Sequence, residues 1–381
     1  MSSLGIPRVY SPQLPIDQKY FAGRISLLNQ VDSIVKSTEK GKAEHIAICG
    51  VHGIGKTSIT YKIQQLVPNT CFMAYYAATK EVGSQEFVQD LIQKMNFQYQ
   101  QNQTTYQKLL SKAKDFPGTV KSFSVLQIGL EVKEGKKSPQ IAFMECMANF
   151  VRRGFKGIVI IIDEADLLSD DALALIRNSV QELQTPIYKS PTSVIISGSE
   201  NLLGRLTGKY SPIARLFSGH TLELGPLTEE ETFDALSLPA KDSKLRWMND
   251  AVIQVYQWSR GFPFIVQLFG QFSVEHCNGK LVKLADVKKA YLDVIREVGI
   301  WYTANWKNDP AKAEIQILLA LGDLSSRAKY TAISKKMGEK DIGTALKRLV
   351  QKGCLNKDEI TGEYYLLHPL VLDFLKVNYL K

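Results

Sequence analysis

Between Gly50 and Thr57 the chain reads Gly-Val-His-Gly-Ile-Gly-Lys-Thr, which satisfies G-x-x-x-x-G-K-[ST] at every fixed position. Glycines at these places let successive backbone N–H groups turn inward around a phosphate. A helix opening at the same point adds its positive N-terminus to the cradle. Lys56 would reach the β- and γ-phosphates, and the Thr57 hydroxyl would ligate Mg²⁺. Gly50, Val51, His52, Gly53, Ile54, Gly55, Lys56, Thr57 and Ser58 are therefore candidate contacts for ATP or ADP, with Mg²⁺ as the accompanying ion.

Such a loop needs an acidic partner at the end of another buried strand. Gly157-Ile-Val-Ile-Ile-Ile-Asp163-Glu164 supplies one. Asp163 would join Thr57 in holding Mg²⁺, usually through water, and Glu164 would polarise the water that attacks the γ-phosphate. Acidic residues here also suit the start of the next helix. The tetrapeptide Asp163-Glu-Ala-Asp166 spells the DEAD of RNA helicases, but no second helicase domain with its arginine-bearing element follows.

The elements that must position these residues are legible in the pattern. A strand over His45–Cys49 precedes the loop and a helix follows it; further short apolar strands fall at 71–75, 157–162, 192–197 and 220–224. Helical stretches at 84–97, 139–152 and 170–184 lie between them, which predicts an α/β fold with a parallel sheet flanked by helices. Ile25, Leu27, Leu28, Val31, Ile34 and Val35 predict an amphipathic helix over 25–40. Helices at 228–238, 248–258, 263–276 and 284–296 make an all-helical lid. Three more, at 313–321, 330–337 and 341–352, and a hairpin turning at Thr361-Gly362 describe a C-terminal winged helix.

The expected organisation is an extended, Pro-rich arm over 1–19, an α/β nucleotide-binding domain over 20–226, a helical lid domain over 227–305 and a winged-helix domain over 306–381. Residues 98–138, with an alternating piece over 124–133, read as a lysine-rich loop or hairpin insertion, either solvated or a contact surface.

Composition bounds the function. Of 381 residues, 45% are hydrophobic and 22% charged, the balance of a globular protein with a sizeable core. The 47 Lys and Arg against 38 Asp and Glu give +9, a mild lean toward polyanions such as nucleic acid. No apolar run approaches the roughly 20 residues of a membrane span, and the first residues lack a secretory pattern. The cytoplasm is the expected location, with no membrane partner. Five scattered cysteines, at 49, 71, 146, 277 and 354, read as reduced core thiols.

With these residues in hand the chain resembles the AAA+/STAND group of P-loop ATPases, in particular origin-recognition-like bacterial and archaeal ATPases that end in a winged helix. The resemblance covers roughly residues 17–381. Tyr20-Phe-Ala-Gly-Arg24 is similar to a family box near the adenine, which points to Phe21 and Gly23. It implies a polar sensor of the γ-phosphate at Ser197 or Ser199. It also implies an arginine acting on the nucleotide of an adjacent subunit in a nucleotide-dependent homo-oligomer: Arg215, with Arg205 in reserve. Arg260-Gly-Phe-Pro263 is similar to the Gly-x-Pro element of the STAND branch, whose proline packs on the nucleotide. Phe264 stands where origin-recognition proteins usually carry an arginine sensor; Arg260 is the substitute.

The third helix of the tail offers Thr344, Lys347, Arg348 and Gln351 as outward groups for a DNA major groove. From 311 to 381 there are 12 Lys and Arg against 8 Asp and Glu. Asp358, Glu359 and Glu363 bring carboxylates to the wing, so protein docking stands beside double-stranded DNA as its use. Two functions follow: an Mg-ATP-hydrolysing machine that acts on or loads onto DNA as an oligomer, or a slow nucleotide-gated switch that recruits a protein partner.

Overall fold

The computed structural model describes residues 9–102, 106, 131–132, 134–207, 213, 215–304, 306–358 and 361–379. Most of the expected insertion, including the alternating piece at 124–130, lies outside the described residues. The chain divides into two compact units: Arg24–Gly225, and Met1–Gly23 with Pro226–Lys381.

In the first unit the order is α1 (Ile25–Glu39), β1 (Ile46–Cys49), α2 (Lys56–Gln64), β2 (Cys71–Ala77), α3 (Ser84–Gln101), α4 (Pro139–Arg152), β3 (Gly157–Asp163), α5 (Asp170–Leu183), β4 (Thr192–Gly198), α6 (Glu200–Thr207) and β5 (Thr221–Glu223). The five strands form one parallel sheet in the order β2-β3-β4-β1-β5. Every residue of β1, β3 and β4 is buried, as strands covered on both faces must be. Gly157 opens β3 because a Cβ there would lie 2.9 Å from the Thr38 carbonyl oxygen.

Helix starts follow local chemistry. Ser138 accepts from the Ile141 N–H ahead of Pro139 at the first turn of α4, and Ser169 does the same for Ala172 in α5, where Asp170 and Asp171 complement the dipole. The amphipathic reading of α1 holds for Leu27, Val31, Ile34 and Val35. Ile25 departs from it: at the first position of the helix, before any turn can fold it inward, it is 70% exposed. Residues 98–101, expected in the insertion, continue α3. Tyr99 and Tyr106 join Phe72, Phe150 and Phe155 in an aromatic cluster.

The second unit contains α7 (Glu229–Asp242), β6 (Arg246–Trp247), α8 (Asn249–Ser259), α9 (Pro263–His276), β7 (Leu281–Val282), α10 (Leu284–Thr303), α11 (Lys312–Asp323), β8 (Arg327–Lys329), α12 (Tyr330–Lys336), α13 (Gly343–Gln351), β9 (Asn356–Lys357), β10 (Glu363–Tyr365) and α14 (Leu370–Tyr379). β6 and β7 pair in parallel, and β8-β10-β9 form an antiparallel sheet. α7 carries a capping box, with Thr228 and Glu231 each bonding the other's backbone N–H. The sequence reading has no α14. Its Leu372 and Phe374 stand against Gly322 of α11 and Gly299 of α10, where any Cβ would collide with them.

The N-terminal arm is anchored within this unit rather than loose. Tyr10 is 1% exposed; its hydroxyl donates to the Leu236 carbonyl at 2.5 Å and accepts from Trp247 Nε1 at 2.9 Å. Burying a whole aromatic ring outweighs the cost of ordering the short segment that carries it. All five cysteines are buried and unpaired. Among the described residues no helix is long and apolar enough to cross a membrane.

Candidate nucleotide site

The phosphate loop leaves β1 at Cys49. Gly50 N–H donates to the Gly198 carbonyl at 3.1 Å, pinning the loop to the end of β4. A Cβ on Gly50 would lie 2.9 Å from Ile54 Cγ2. Gly53 and Gly55 take positive φ of 80° and 97°, the left-handed region in which glycine carries no penalty. A Cβ on Gly55 would meet nothing within 4 Å, so the turn keeps open space beside the start of α2. Lys56, only 5% exposed, donates from Nζ to the Gly50 and Val51 carbonyls at 3.0 and 3.2 Å. Its ammonium is thus folded over the loop.

Opposite stands Asp163, last residue of β3 and 2% exposed. Its Oδ1 accepts from the Ser197 hydroxyl and, at 3.1 Å, from the Glu164 N–H. Its Oδ2 lies 3.3 Å from the Tyr75 hydroxyl and 3.4 Å from Thr60 Oγ1. A buried carboxylate demands such partners, because burying the charge without them is costly.

Glu164 follows in the left-handed region at φ 54°, a strained setting for a side-chain-bearing residue. Burial raises its carboxyl above the ordinary value; the charges of Asp163 and Asp166 push the same way and Lys56 opposes them. A raised carboxyl is suited to taking a proton from water.

The two candidate sensors separate in space. Ser197 is fully buried against Asp163. Ser199, past the end of β4, is held by Asp166, which accepts from its N–H at 2.9 Å and its hydroxyl at 3.2 Å. Arg205, the reserve for action on a neighbouring subunit, is committed within its own unit. It donates to the Asp166 and Leu168 carbonyls at 3.1 and 2.7 Å and pairs with Asp170 at 2.6 Å. α6 lies along the β3–α5 connection, and these contacts hold the guanidinium there. Arg215 is exposed in a turn between buried Ile213 and Phe217.

Phe21, Gly23 and Pro263 belong to the second unit, outside the unit that carries the loop. Gly23 has φ 72° and lies against the Glu231 side chain. Pro263 is the first residue of α9, after Arg260 at φ 49° and Gly261 at φ 71°; a Cβ on Gly261 would strike the Leu227 carbonyl.

In the tail, Thr344, Lys347, Arg348 and Gln351 are all exposed on α13. Arg348, however, pairs through Nε with Glu314 at 3.2 Å, and Lys352 reaches the other oxygen of that buried carboxylate at 2.6 Å. The Arg348 charge is thereby spoken for. Of the carboxylates expected on a wing, two are offset, Arg327 pairing with Asp358 and, at 2.7 Å, with Glu363, and Glu359 lies outside the described residues.

Sequence reading missed Tyr75, Thr60 and Asp166 as members of the site. Tyr75 and Thr60 sit in an apolar strand and a helix that give no local sign of what they face. Asp166 had a sign in its place three residues after Asp163.

Residues 39–206 match the family described as AAA domain. That stretch of the chain is similar to AAA domains. A Methanocaldococcus jannaschii protein described as an uncharacterized HTH-type transcriptional regulator is 24% identical over 382 aligned residues, covering 94% of this chain and 89% of that one. Among solved structures, a Walker-type ATPase of Pyrococcus abyssi is similar with TM-score 0.62 at 14% identity, covering 97% of this chain and 98% of that one. The Aeropyrum pernix ORC2 protein, solved as ADPNP-ADP complexes, gives TM-score 0.60 at 13% identity, with 98% and 97% covered. These likenesses of fold extend well beyond residues 39–206, over nearly the whole chain.

Proposed function

We propose that this protein binds and hydrolyses Mg-ATP at the loop of residues 50–58, and that it works on double-stranded DNA as a nucleotide-dependent homo-oligomer. The convergence of Lys56, Asp163 and Glu164 at one end of the sheet carries the reading. The donor set fits the cofactor: inward N–H groups and a lysine for phosphates, and a threonine hydroxyl and a buried carboxylate for a hard cation. Mg²⁺, when bound, neutralises charge developing on the phosphates.

Lys56 exchanges its loop carbonyls for phosphate oxygens, Thr57 and Asp163 hold the ion, and Glu164 accepts a proton from water. Ser197 at the end of β4, or Ser199 just past it, reads the phosphate end. Arg215 is the residue left to act on a neighbouring copy. Residues 227–305 serve as a lid domain and 306–381 as a winged helix whose Thr344, Lys347 and Gln351 meet the duplex, with Arg348 in support. The regulator description of the M. jannaschii relative agrees with a DNA partner.

A second reading, a slow switch that recruits a protein partner, is favoured by one contact. His368 Nε2 meets the Ser259 carbonyl at 2.8 Å, joining the tail to the turn that holds Arg260 and Gly261. A tail gripped this way can report on that turn. ATP turnover with and without duplex DNA, for wild type and Glu164→Gln at low and moderate salt, separates the two. DNA-stimulated turnover that the substitution abolishes supports the first; turnover indifferent to DNA supports the switch.

A further inference from the structure

Four donors surround the Asp163 carboxylate, and they are not equivalent. On Oδ1, the Ser197 hydroxyl and the Glu164 N–H are both supplied by the strands and turn at the chemical edge. On Oδ2, Thr60 Oγ1 at 3.4 Å has a single proton and a nearer acceptor, the Thr57 carbonyl at 2.9 Å. Tyr75, at 3.3 Å, is the nearer donor to Oδ2, and its hydroxyl also bonds with the Tyr61 and Thr60 side chains.

Tyr75 lies on β2, paired with Ile161, two residues short of the Ala77–Asp163 pair, so its long side chain reaches along the sheet to the carboxylate. Its ring packs edge-on against Tyr61 of α2 at 5.5 Å and 65°. That helix begins with Lys56 and Thr57. One tyrosine therefore touches both halves of the site: the helix that follows the phosphate loop, through its ring, and the acidic strand, through its hydroxyl.

We infer that Tyr75 is a positioning residue for Mg²⁺, its hydroxyl fixing how the Asp163 carboxylate is turned and so how strongly the site holds the ion with nucleotide. The inference rests on the nucleotide reading above. Outer partners of metal-holding groups govern affinity because they set ligand orientation and basicity.

The test is a Mg²⁺ titration of fluorescent ADP-analogue binding to the full-length protein, wild type against Tyr75→Phe, with parallel binding in EDTA and thermal melts. Phenylalanine keeps the ring against Tyr61 and removes only the hydroxyl. The half-saturating Mg²⁺ concentration rises about 10-fold, the lower end for such partners, while binding in EDTA and the melting temperature stay as in wild type.

A folded Tyr75→Phe protein with wild-type Mg²⁺ dependence overturns the proposal. So does an equal loss of affinity with and without Mg²⁺, which would make Tyr75 a packing residue. Absence of nucleotide binding by wild type in both conditions overturns the nucleotide reading itself, and the proposal with it.

Discussion

Ser197 gives its hydroxyl to Asp163 across the β3–β4 pair, whereas Ser199, two residues on, is turned to Asp166. Two serines that are alike in sequence thus serve different carboxylates. Removing the Ser197 hydroxyl deprives a fully buried anion of a donor.

Ser197→Ala is expected to cost about 1–3 kcal/mol of stability and to lower ATP turnover by ~10–100-fold through a misplaced Asp163. Ser199→Ala is expected to stay close to wild type in stability, because its N–H still bonds Asp166. Denaturant melts and steady-state turnover of the two variants decide it; the opposite ranking would assign the sensor to Ser199.

Glu164→Gln is expected to lower turnover by ~10²–10⁴-fold while retaining nucleotide. It also carries a stability signature. The folded carboxyl lies above its ordinary value of 4.5, so in the window above that value the native state holds a proton the unfolded chain has released. Wild-type stability therefore falls as pH rises through the window and stays lower above it. The glutamine variant escapes this loss: it melts higher than wild type at pH 7, and the advantage vanishes below about pH 4.5. Coincident melts at both pH values would contradict the burial argument.

Lys347 and Arg348 are neighbours with different tasks. Lys347→Ala is expected to leave the melting temperature alone and to reduce the salt slope of duplex binding by about 1. Arg348→Ala removes one of two cations on buried Glu314 and is expected to cost about 1 kcal/mol of stability. Fluorescence anisotropy on a short duplex across salt, beside melts, reads both effects; salt slopes that do not move would turn attention to a protein partner.

His368 is 3% exposed, and burial lowers its pKa to about 4, with the Ser259 bond opposing the shift. Its Nδ1 accepts from the Leu370 N–H at 3.1 Å, a role only the neutral ring can fill. Because the folded value lies below the unfolded 6.5, the unfolded chain binds the extra proton, and stability drops as pH falls from about 6.5 toward 4, by about 3 kcal/mol in all. His45 in the other unit, also lowered to about 4 and accepting from the Val194 N–H, adds a second proton to this slope. His368→Asn and His45→Asn are each expected to remove one proton from it. A slope unaffected by either change would refute the assignment.

The phosphate loop, the Asp163-Glu164 pair and the alternation of strands with helices were legible in the chain because each rests on neighbours in sequence. Glycines fix a turn, an apolar run fixes a buried strand, and a Ser-Pro or Ser-Asp-Asp start fixes a helix. What only the tertiary structure decided are choices between distant partners. Ser197 rather than Ser199 meets Asp163, 34 residues away, and Tyr75 reaches it across 88. Arg205 turns inward, and Arg348 joins a glutamate of another helix. Tyr10 anchors the arm 226 residues from its acceptor. No local pattern encodes these pairs, because a side chain's hydrogen-bond or ion-pair partner is set by which elements the sheet and helix packing bring alongside.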